Sequence, residues 1–248
     1  MRAFLRNWLL AFLMPFPLIG ILFLPRYFRH WRRFQELSPG VRLSLRNAHP
    51  CLGDWVSSTP FDPHYFHQGA WLARKLKQRM PALHVDIGSS VLTMSVISAV
   101  TETVFLDYRP LQVRTANLHS VSGSITCLPF ADLRLSSLSS LHVIEHIGLG
   151  RYGDPIDPDG SAKAAAELVR VLAPGGRLYI SAPVGRERVC FNAHRVFHPD
   201  TLVDMFRPLV LETFSVVDDA GAVLADLPTS RAADLDYGCG LYVFVRNS

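Results

Sequence analysis

The spacing of apolar residues alternates along the chain between a helical and a strand-like period. Between Tyr65 and Met80, Leu72 and Leu76 lie four residues apart, and most of the charged side chains fall on the other side. This pattern predicts an amphipathic helix that Pro81 ends. Short apolar runs and further helical stretches then alternate, which is typical of a parallel sheet with crossover helices. The pattern predicts a doubly wound, mostly parallel α/β fold with an antiparallel C-terminal strand.

The predicted strands are short apolar runs that end in turn residues or in an acid. They cover residues 83–88 (LHVDIG), 102–110 (ETVFLDYRP), 138–147 (LSSLHVIEHI), 177–183 (RLYISAP), 209–225 and 240–247. A predicted helix over residues 91–100 follows the first strand, and another over residues 161–176 precedes the strand at 177–183. The second of these helices has a clear apolar face and a Pro-Gly-Gly stop.

An uncharged apolar stretch precedes the folded part of the chain. Residues 8–24 are bracketed by arginines and approach the ~17 to 25 residues that span a bilayer. A cleaved signal peptide would need a small-residue cleavage site, which does not follow. A buried core helix would be broken by Pro15, Pro17 and Gly20. The pattern therefore favours a membrane anchor, and the arginines after it place the main domain on the cytoplasmic side.

This interpretation gives three parts to the chain. Residues 1–37 form a membrane-associating segment, residues 38–63 a linker rich in Pro, Gly and Ser, and residues 64–248 the folded domain. The formal net charge is +4, and the basic excess lies near the N-terminus, which suits a membrane surface better than a nucleic acid. The four cysteines are far apart without a C-x-x-C pair, so neither a thiolate zinc site nor disulfides are expected.

The sequence H-x-x-E-H at His142, Glu145 and His146 matches the inverted zinc-peptidase motif. That motif requires a helix, whereas this segment continues a strand-like run and stops at Gly148. On a strand, His142 and His146 would share one face and Glu145 would take the other. The acidic loop that follows lacks the end ligands of a calcium loop. We therefore expect no metal site here.

Two strand ends carry residues that suit a cofactor. Asp86 and Gly88 lie at the end of the first strand, where a small residue lets a ligand approach the backbone closely. About twenty residues later Asp107 ends the next strand, where a carboxylate can accept both hydroxyls of a ribose. The pair indicates a nucleoside-binding crevice at the carboxyl edge of the sheet.

Five segments in this order resemble the class I S-adenosylmethionine-dependent methyltransferases: HVDIGSS, VFLDYRP, ITCLPFAD, SSLHVIEHIG and AAAELVRVLAPGGRLYISAP. The resemblance covers residues 83–183 and implies S-adenosylmethionine as cofactor and methyl transfer as activity. It also implies roles for individual residues. Asp86, Gly88 and Ser89 would lie at the methionine part, Asp107 at the ribose, and Ser124, Ile125 and Thr126 near the adenine.

The chain departs from this pattern at two places. Ser89 and Ser90 stand where the family usually has further glycines, and Ser124 replaces an acid that often lies near the adenine amine. A cofactor-free scaffold in a membrane-associated assembly is therefore the alternative function. EHIGLGRYGDPIDPDG and FNAHRVF resemble more narrowly a bacterial family of uncharacterised methyltransferase-like proteins.

The acceptor side is predicted from the loops after two strands. A hydroxyl acceptor would need a base, for which Glu145, His146 and His194 are candidates. The loops 150–155 and 191–195 should face each other across one crevice, less than ~15 Å apart. Their candidate acceptor-binding residues are Arg151, Tyr152, Asp154, Asn192 and Arg195. By analogy the acceptor would be a small molecule or a glycan or lipid-linked precursor.

Overall fold

A computed structural model describes residues 17–247 of the chain, which its contacts divide into two units, one ending at Phe61 and one starting at Asp62. The described part of the first unit contains helices α1 (Pro17–Leu22) and α2 (Leu24–Leu37) and a 3-10 turn at Leu45–Asn47. Within residues 17–247, no helix combines the length and the apolar character that crossing a membrane requires. Residues 8–16 of the predicted anchor lie outside the described residues, and the boundaries at 37 and 63 stay predictions.

The second unit opens with the predicted amphipathic helix, α3 (Pro63–Arg79). Asp62 caps it, because its carboxylate accepts hydrogen bonds from the backbone nitrogens of residues 64 and 65, at 2.9 and 3.2 Å. Trp71, Leu72 and Leu76 are buried on one face. The helix ends where Met80 takes a left-handed conformation, directly before Pro81.

An eight-stranded sheet forms the centre of the second unit. Its strands are β1 (His84–Ile87), β2 (Thr103–Asp107), β3 (Leu118–Ser122), β4 (Leu135–Leu141), β5 (Leu172–Val184), β8 (Val210–Val217), β9 (Val223–Leu224) and β10 (Gly238–Val245). A separate hairpin pairs β6 (Arg188–Cys190) with β7 (His194–Val196). The order in the sheet is β3-β2-β1-β4-β5-β10-β8-β9, so the chain reverses its direction of winding between β1 and β4.

The pairing confirms the predicted fold class. Strands β1 to β5 pair in parallel, whereas β10 inserts antiparallel between β5 and β8. The helices are α4 (Val91–Ile97), α5 (Gly160–Val171) and α6 (Pro199–Met205) besides α3. One buried cluster joins the sheet to α5 and α6, and another joins it to α3 and α4. The sheet therefore has helices on both faces, and its crevice lies at the carboxyl ends of β1 and β4.

The serines in β4 explain why a polar-looking run lies in the middle of the sheet. The His84 ring nitrogens lie 2.8 and 2.9 Å from the hydroxyl oxygens of Ser137 and Ser139. Ser139 donates to Asp86, and Ser140 donates to the Ile87 carbonyl at 2.9 Å. The serines thus satisfy buried polar groups of the neighbouring strand β1. Burial lowers the pKa of His84 to about 3, so this ring is neutral.

Two predicted boundaries are wrong. The strand predicted over 138–147 ends at Leu141, because His142 adopts a positive φ of 54° and residues Ile144–His146 form a 3-10 turn. The helix predicted to run to residue 176 ends at Val171, and the chain enters β5 at once. A side chain at Gly176 would come within 2.9 Å of the Leu135 carbonyl oxygen, so this glycine permits close pairing of β4 with β5.

Candidate functional site

A cavity of about 340 Å³ opens at the carboxyl ends of the strands, where the sheet reverses its winding. Its volume lies within the roughly 300 to 1,000 Å³ of small-molecule sites. Its walls come from helix α3, from the ends of β1, β2 and β4, from the segment that follows β3, and from the loop that follows the 3-10 turn at Ile144–His146. Among its lining residues are Tyr65, Gly88, Asp107, Ile125, His146 and Tyr152.

Gly88 forms the floor of the cavity and requires a glycine. Its φ is +71°, and a Cβ atom would lie 3.1 Å from a methyl carbon of Val143. Ser89 then donates its hydroxyl to Asp86 at 2.7 Å and accepts a hydrogen bond from the Leu141 nitrogen at 2.8 Å. The loop is therefore held by hydrogen bonds of Ser89 to β1 and β4, and Ser89 and Ser90 line the cavity beside Gly88.

Asp86 lies beneath the cavity and does not line it. Its carboxylate is fully buried and accepts hydrogen bonds from Ser139, from the Ser89 hydroxyl and from the Ser89 nitrogen. Burial raises the pKa of Asp86 to about 6, although these donors oppose the shift. Asp86 therefore holds the loop from below the residues that line the cavity, and its predicted contact with a cofactor stays a prediction.

Asp86 is expected to impose a pH dependence on stability. The folded protein holds the Asp86 proton up to about pH 6, whereas an unfolded aspartate releases it near pH 4. Its contribution to the free energy of unfolding is therefore present at low pH and declines as the pH rises from about 4 to 6, by about 2 to 3 kcal/mol. Urea unfolding across this pH range should show that the difference in the free energy of unfolding between wild type and Asp86→Asn falls by that amount. Asp132→Asn, which changes an exposed acid, should follow wild type, and parallel profiles for Asp86→Asn would refute the prediction.

Asp107 lies at the end of β2 on the wall of the cavity, as predicted. Its Oδ1 accepts a hydrogen bond from the Arg109 nitrogen at 2.6 Å, which fixes the side chain. The Arg109 guanidinium lies over the ring of Tyr152, 4.6 Å from its centre, on another wall of the cavity. An acid in this position can accept a pair of vicinal hydroxyls.

The predicted adenine-side residues divide between the cavity and its support. Ile125 is buried and lines the cavity. Ser124 and Thr126 do not line it, because their hydroxyl oxygens lie 2.9 Å apart and the Thr126 nitrogen donates to Ser124 at 3.3 Å. This turn fixes Ile125, which offers an apolar surface of the kind that a base ring packs against.

Glu145 lies between two histidines, and not on the opposite face from them as predicted. Its Oε1 is 2.9 Å from His142 Nδ1 and 3.7 Å from His146 Nε2. The predicted alternation is wrong because the segment is a 3-10 turn and not a strand. Glu145 is fully buried and does not line the cavity, whereas both histidines do.

The two histidines have different environments. Burial lowers the pKa of His146, and its Nδ1 lies 2.6 Å from the Ala193 carbonyl oxygen, to which it donates in the neutral ring. Burial also disfavours the charged form of His142, but Cys239 and Glu145 beside it outweigh this and raise its pKa to about 10. A neutral His146 at the cavity wall is suited to accept a proton.

The loop 148–160 contributes another wall. Asp154 lines the cavity, but its carboxylate accepts hydrogen bonds from the Gly148 nitrogen at 2.8 Å and the Tyr152 nitrogen at 3.2 Å. Tyr152 also lines the cavity, with its ring 5.7 Å from that of His146. Arg151 does not line it and donates to the Ala193 carbonyl at 3.0 Å. The two predicted loops are therefore in contact.

The residues predicted in the second loop do not line the cavity. Arg195 donates to the carbonyls of Ile147 at 2.7 Å and Pro158 at 3.2 Å, so its guanidinium holds the loop 148–160 in place. His194 packs against the Tyr237 ring, 5.0 Å between centres, and burial lowers its pKa. Asn192 is exposed in the hairpin turn between β6 and β7. One crevice shared by both loops is therefore not what the structure shows.

Sequence reasoning missed the aromatic side of the site. Tyr65 lines the cavity and stacks on His142, with ring centres 5.4 Å apart. His64 stacks on His142 from the same helix turn, and on Tyr237. These residues are far apart in sequence, and no local motif links them. The polar start of an otherwise amphipathic helix at His64 and Tyr65 was the signal that could have suggested them.

Solved structures of several proteins share this fold. Over 82% of this chain and 93% of the other, it resembles the N-methyltransferase NodS of Bradyrhizobium japonicum bound to S-adenosylhomocysteine, with a TM-score of 0.53 and 14% identity. A chain from the complex of the Haloferax volcanii Trm112 methyltransferase activator is similar with a TM-score of 0.51 and 19% identity, over 75% of this chain and 91% of the other. The chain has the fold of the S-adenosylmethionine-dependent methyltransferases. The [4+2]-cyclase SpnF also matches, at 0.51 and 13%, over 71% and 81%.

Sequence comparison adds one family. A profile described as "Caenorhabditis protein of unknown function, DUF268" matches residues 129–231, which include Glu145, His146 and the loop 148–160. No curated protein matches the sequence significantly. The narrower resemblance to a bacterial family stays a prediction.

Proposed function

We propose that the protein transfers a methyl group from S-adenosylmethionine. The observation that carries the proposal is the position of Asp107, a carboxylate at the end of β2 on the wall of a cavity at the switch point of a methyltransferase-type sheet. Asp107 would bind the ribose, Ile125 would pack on the adenine, and Gly88 with Ser89 and Ser90 would lie along the methionine part. The cofactor supplies an electrophilic methyl group, so the protein has mainly to align the acceptor and exclude water.

The acceptor would enter beside His146, Tyr65 and Tyr152, which share one side of the cavity. His146 is the candidate base because it reaches the cavity and its lowered pKa keeps it neutral. Glu145 is buried behind it and would orient the histidines without contacting the acceptor. The loop 148–160 would keep its conformation through hydrogen bonds that backbone atoms make with Arg151, Asp154 and Arg195.

The described part of the N-terminus supports a membrane-surface location. Helix α2 carries arginines 26, 29, 32 and 33 on one side and aromatic residues 27, 31 and 34 on the other. Ile21, Leu22 and Phe34 are exposed. A basic amphipathic helix of this kind binds anionic lipid surfaces. The proposal thus includes the cytoplasmic face of a membrane as location, a glycan or lipid-linked acceptor, and no nucleic-acid partner.

Deleting residues 1–37 is expected to release the protein from membranes and leave cofactor binding intact, because the cavity is lined entirely by residues of the second unit. Flotation with vesicles containing anionic lipid measures the first effect and calorimetric titration with S-adenosylhomocysteine the second. Full-length protein that stays away from the vesicles, or a shortened protein that still floats with them, would contradict the expectation.

The alternative is a cofactor-free scaffold in a membrane-associated assembly. The serines after Gly88, where methyltransferases usually have further glycines, favour it. Calorimetric titration of the full chain with S-adenosylhomocysteine separates the two functions. Saturable binding at one site per chain supports the methyltransferase, and absence of binding supports the scaffold.

A further inference from the structure

Three side chains from distant parts of the sequence meet beside the cavity. His64 lies in the first turn of α3, His142 directly follows β4, and Cys239 is the second residue of β10. Each offers one atom that can bind a metal, and these atoms all lie within 4.8 Å of one another. His142 Nε2 is 3.3 Å from Cys239 Sγ.

These separations suit a zinc ion. Zinc binds sulfur at about 2.3 Å and nitrogen at about 2.0 Å, so neighbouring ligand atoms of a tetrahedral site lie roughly 3.3 to 3.6 Å apart. The His142 and Cys239 atoms already have this spacing. The three ligand atoms lie within 4.8 Å of one another, so metal binding requires the His64 ring, which stacks on His142 and Tyr237, to move closer to the other two ligands.

Groups behind the histidines complete the pattern of a metal site. Histidine ligands usually donate their second nitrogen to a carboxylate or a backbone carbonyl, which orients the ring. His142 Nδ1 lies 2.9 Å from Glu145 Oε1, and the His64 ring interacts with the backbone of Tyr237. Glu145 is fully buried, yet within the described residues neither of its oxygens accepts a well-directed hydrogen bond. A buried carboxylate needs a positive charge nearby, which either the protonated His142 ring or a metal ion bound to that ring can supply.

We propose that His64, His142 and Cys239 bind one Zn²⁺ through two imidazoles and one thiolate, with Glu145 orienting His142. On binding, Cys239 Sγ and His142 Nε2 each release the proton they carry to solvent, and the ion takes the place of both protons, while His142 Nδ1 keeps its own proton toward Glu145. With Glu145 and the thiolate each carrying one negative charge, the doubly charged ion balances the buried group. Three protein ligands leave the fourth position for water or for an acceptor group.

This site differs from the one that H-x-x-E-H suggests, because only His142 of that motif is a ligand. It also departs from the expectation that the protein holds no metal. The ion would lie in the wall of the cavity, since the His142 ring lines it. The inference rests on the side-chain geometry alone and stands whether or not the protein transfers methyl groups.

A Cys-His-Glu nucleophile is the competing interpretation of the same contacts. A thiol that attacks a substrate must reach it, but Cys239 is fully buried. Such a triad also has no use for His64. Zinc binding accounts for all four residues and needs no access for a substrate to the sulfur.

Elemental analysis of the full-length protein, purified without a histidine tag, tests the proposal. About one zinc per chain is expected in wild type and a small fraction of this in Cys239→Ser and His64→Asn. Cys127→Ser and His67→Asn, which change a cysteine and a histidine outside the cluster, should keep the full content. Glu145→Gln should bind the same amount at saturation with about 10 to 100-fold lower affinity.

Wild-type protein alone also decides the question if the variants fail to fold. Removing the metal with a chelator and adding Co²⁺ should produce the absorption of a thiolate-bound cobalt ion, which Zn²⁺ then abolishes. No zinc after purification together with no uptake of either ion would overturn the proposal. Alkylation of Cys239 in the folded, zinc-treated protein as fast as that of exposed Cys127 would also overturn it and would favour the nucleophile.

Discussion

Replacing His146 by Asn is expected to lower methyl transfer by a factor of about 10² to 10⁴, the usual contribution of a general base. His146 lines the cavity, and its bond to the Ala193 carbonyl orients the ring. Because the base acts only on the acceptor, affinity for S-adenosylhomocysteine should stay within about twofold. Release of S-adenosylhomocysteine in the presence of a lipid extract of the host membranes measures turnover, and calorimetry measures affinity.

His119→Asn is the matched control, since this histidine lies on the surface, pairs with Glu102 and is not among the residues that line the cavity. It should leave both quantities unchanged. Wild-type turnover in His146→Asn would remove this residue from the reaction. An equal loss of cofactor affinity would instead mean that His146 maintains the shape of the cavity.

Replacing Asp107 by Ala is expected to weaken S-adenosylhomocysteine binding by about 1 to 3 kcal/mol, which is roughly 5 to 150-fold. The substitution would remove the carboxylate that accepts hydrogen bonds from the ribose hydroxyls and from the backbone nitrogen of Arg109. Titration calorimetry of wild type and variant gives the difference directly.

Asp132→Ala provides the comparison for this measurement. Asp132 is also an acid, but it pairs with Arg170 at the surface, where an ion pair contributes little. Its affinity for the cofactor should equal that of wild type. If Asp107→Ala binds equally well, the ribose does not lie at the end of β2.

The sequence was sufficient where function depends on the end of a strand. Gly88 and Asp107 were predicted at the crevice because strands are local patterns and their carboxyl ends share one edge of the sheet, whereas Ile125 was implied only by the resemblance to methyltransferases. The structure places all three there. The same rule could not show that Asp86 is buried, because a strand pattern does not reveal the hydrogen bonds from Ser89 and Ser139 that its carboxylate accepts.

The rest of the site depends on geometry that local patterns do not contain. The positive φ of His142 ends β4 early, so Glu145 turns toward the histidines. Arg195 was predicted to bind the acceptor because its segment follows a strand and should emerge at the carboxyl edge of the sheet, yet three backbone carbonyls already accept hydrogen bonds from its guanidinium. Cys239 and His64 meet His142 only after the sheet has formed. Such meetings follow from strand order and not from spacing.

The position of β10 in the sheet affects how this domain can fold while it is being synthesised. Strands β5 and β8 are both made before β10, but they become neighbours only through it. A nascent chain that ends before Gly238 therefore leaves the backbone N–H and C=O groups along one edge of β5 and one edge of β8 unpaired, and such edges aggregate or recruit chaperones. The same strand carries Cys239, so the half-made domain would lack both the middle of its sheet and one side of its polar cluster.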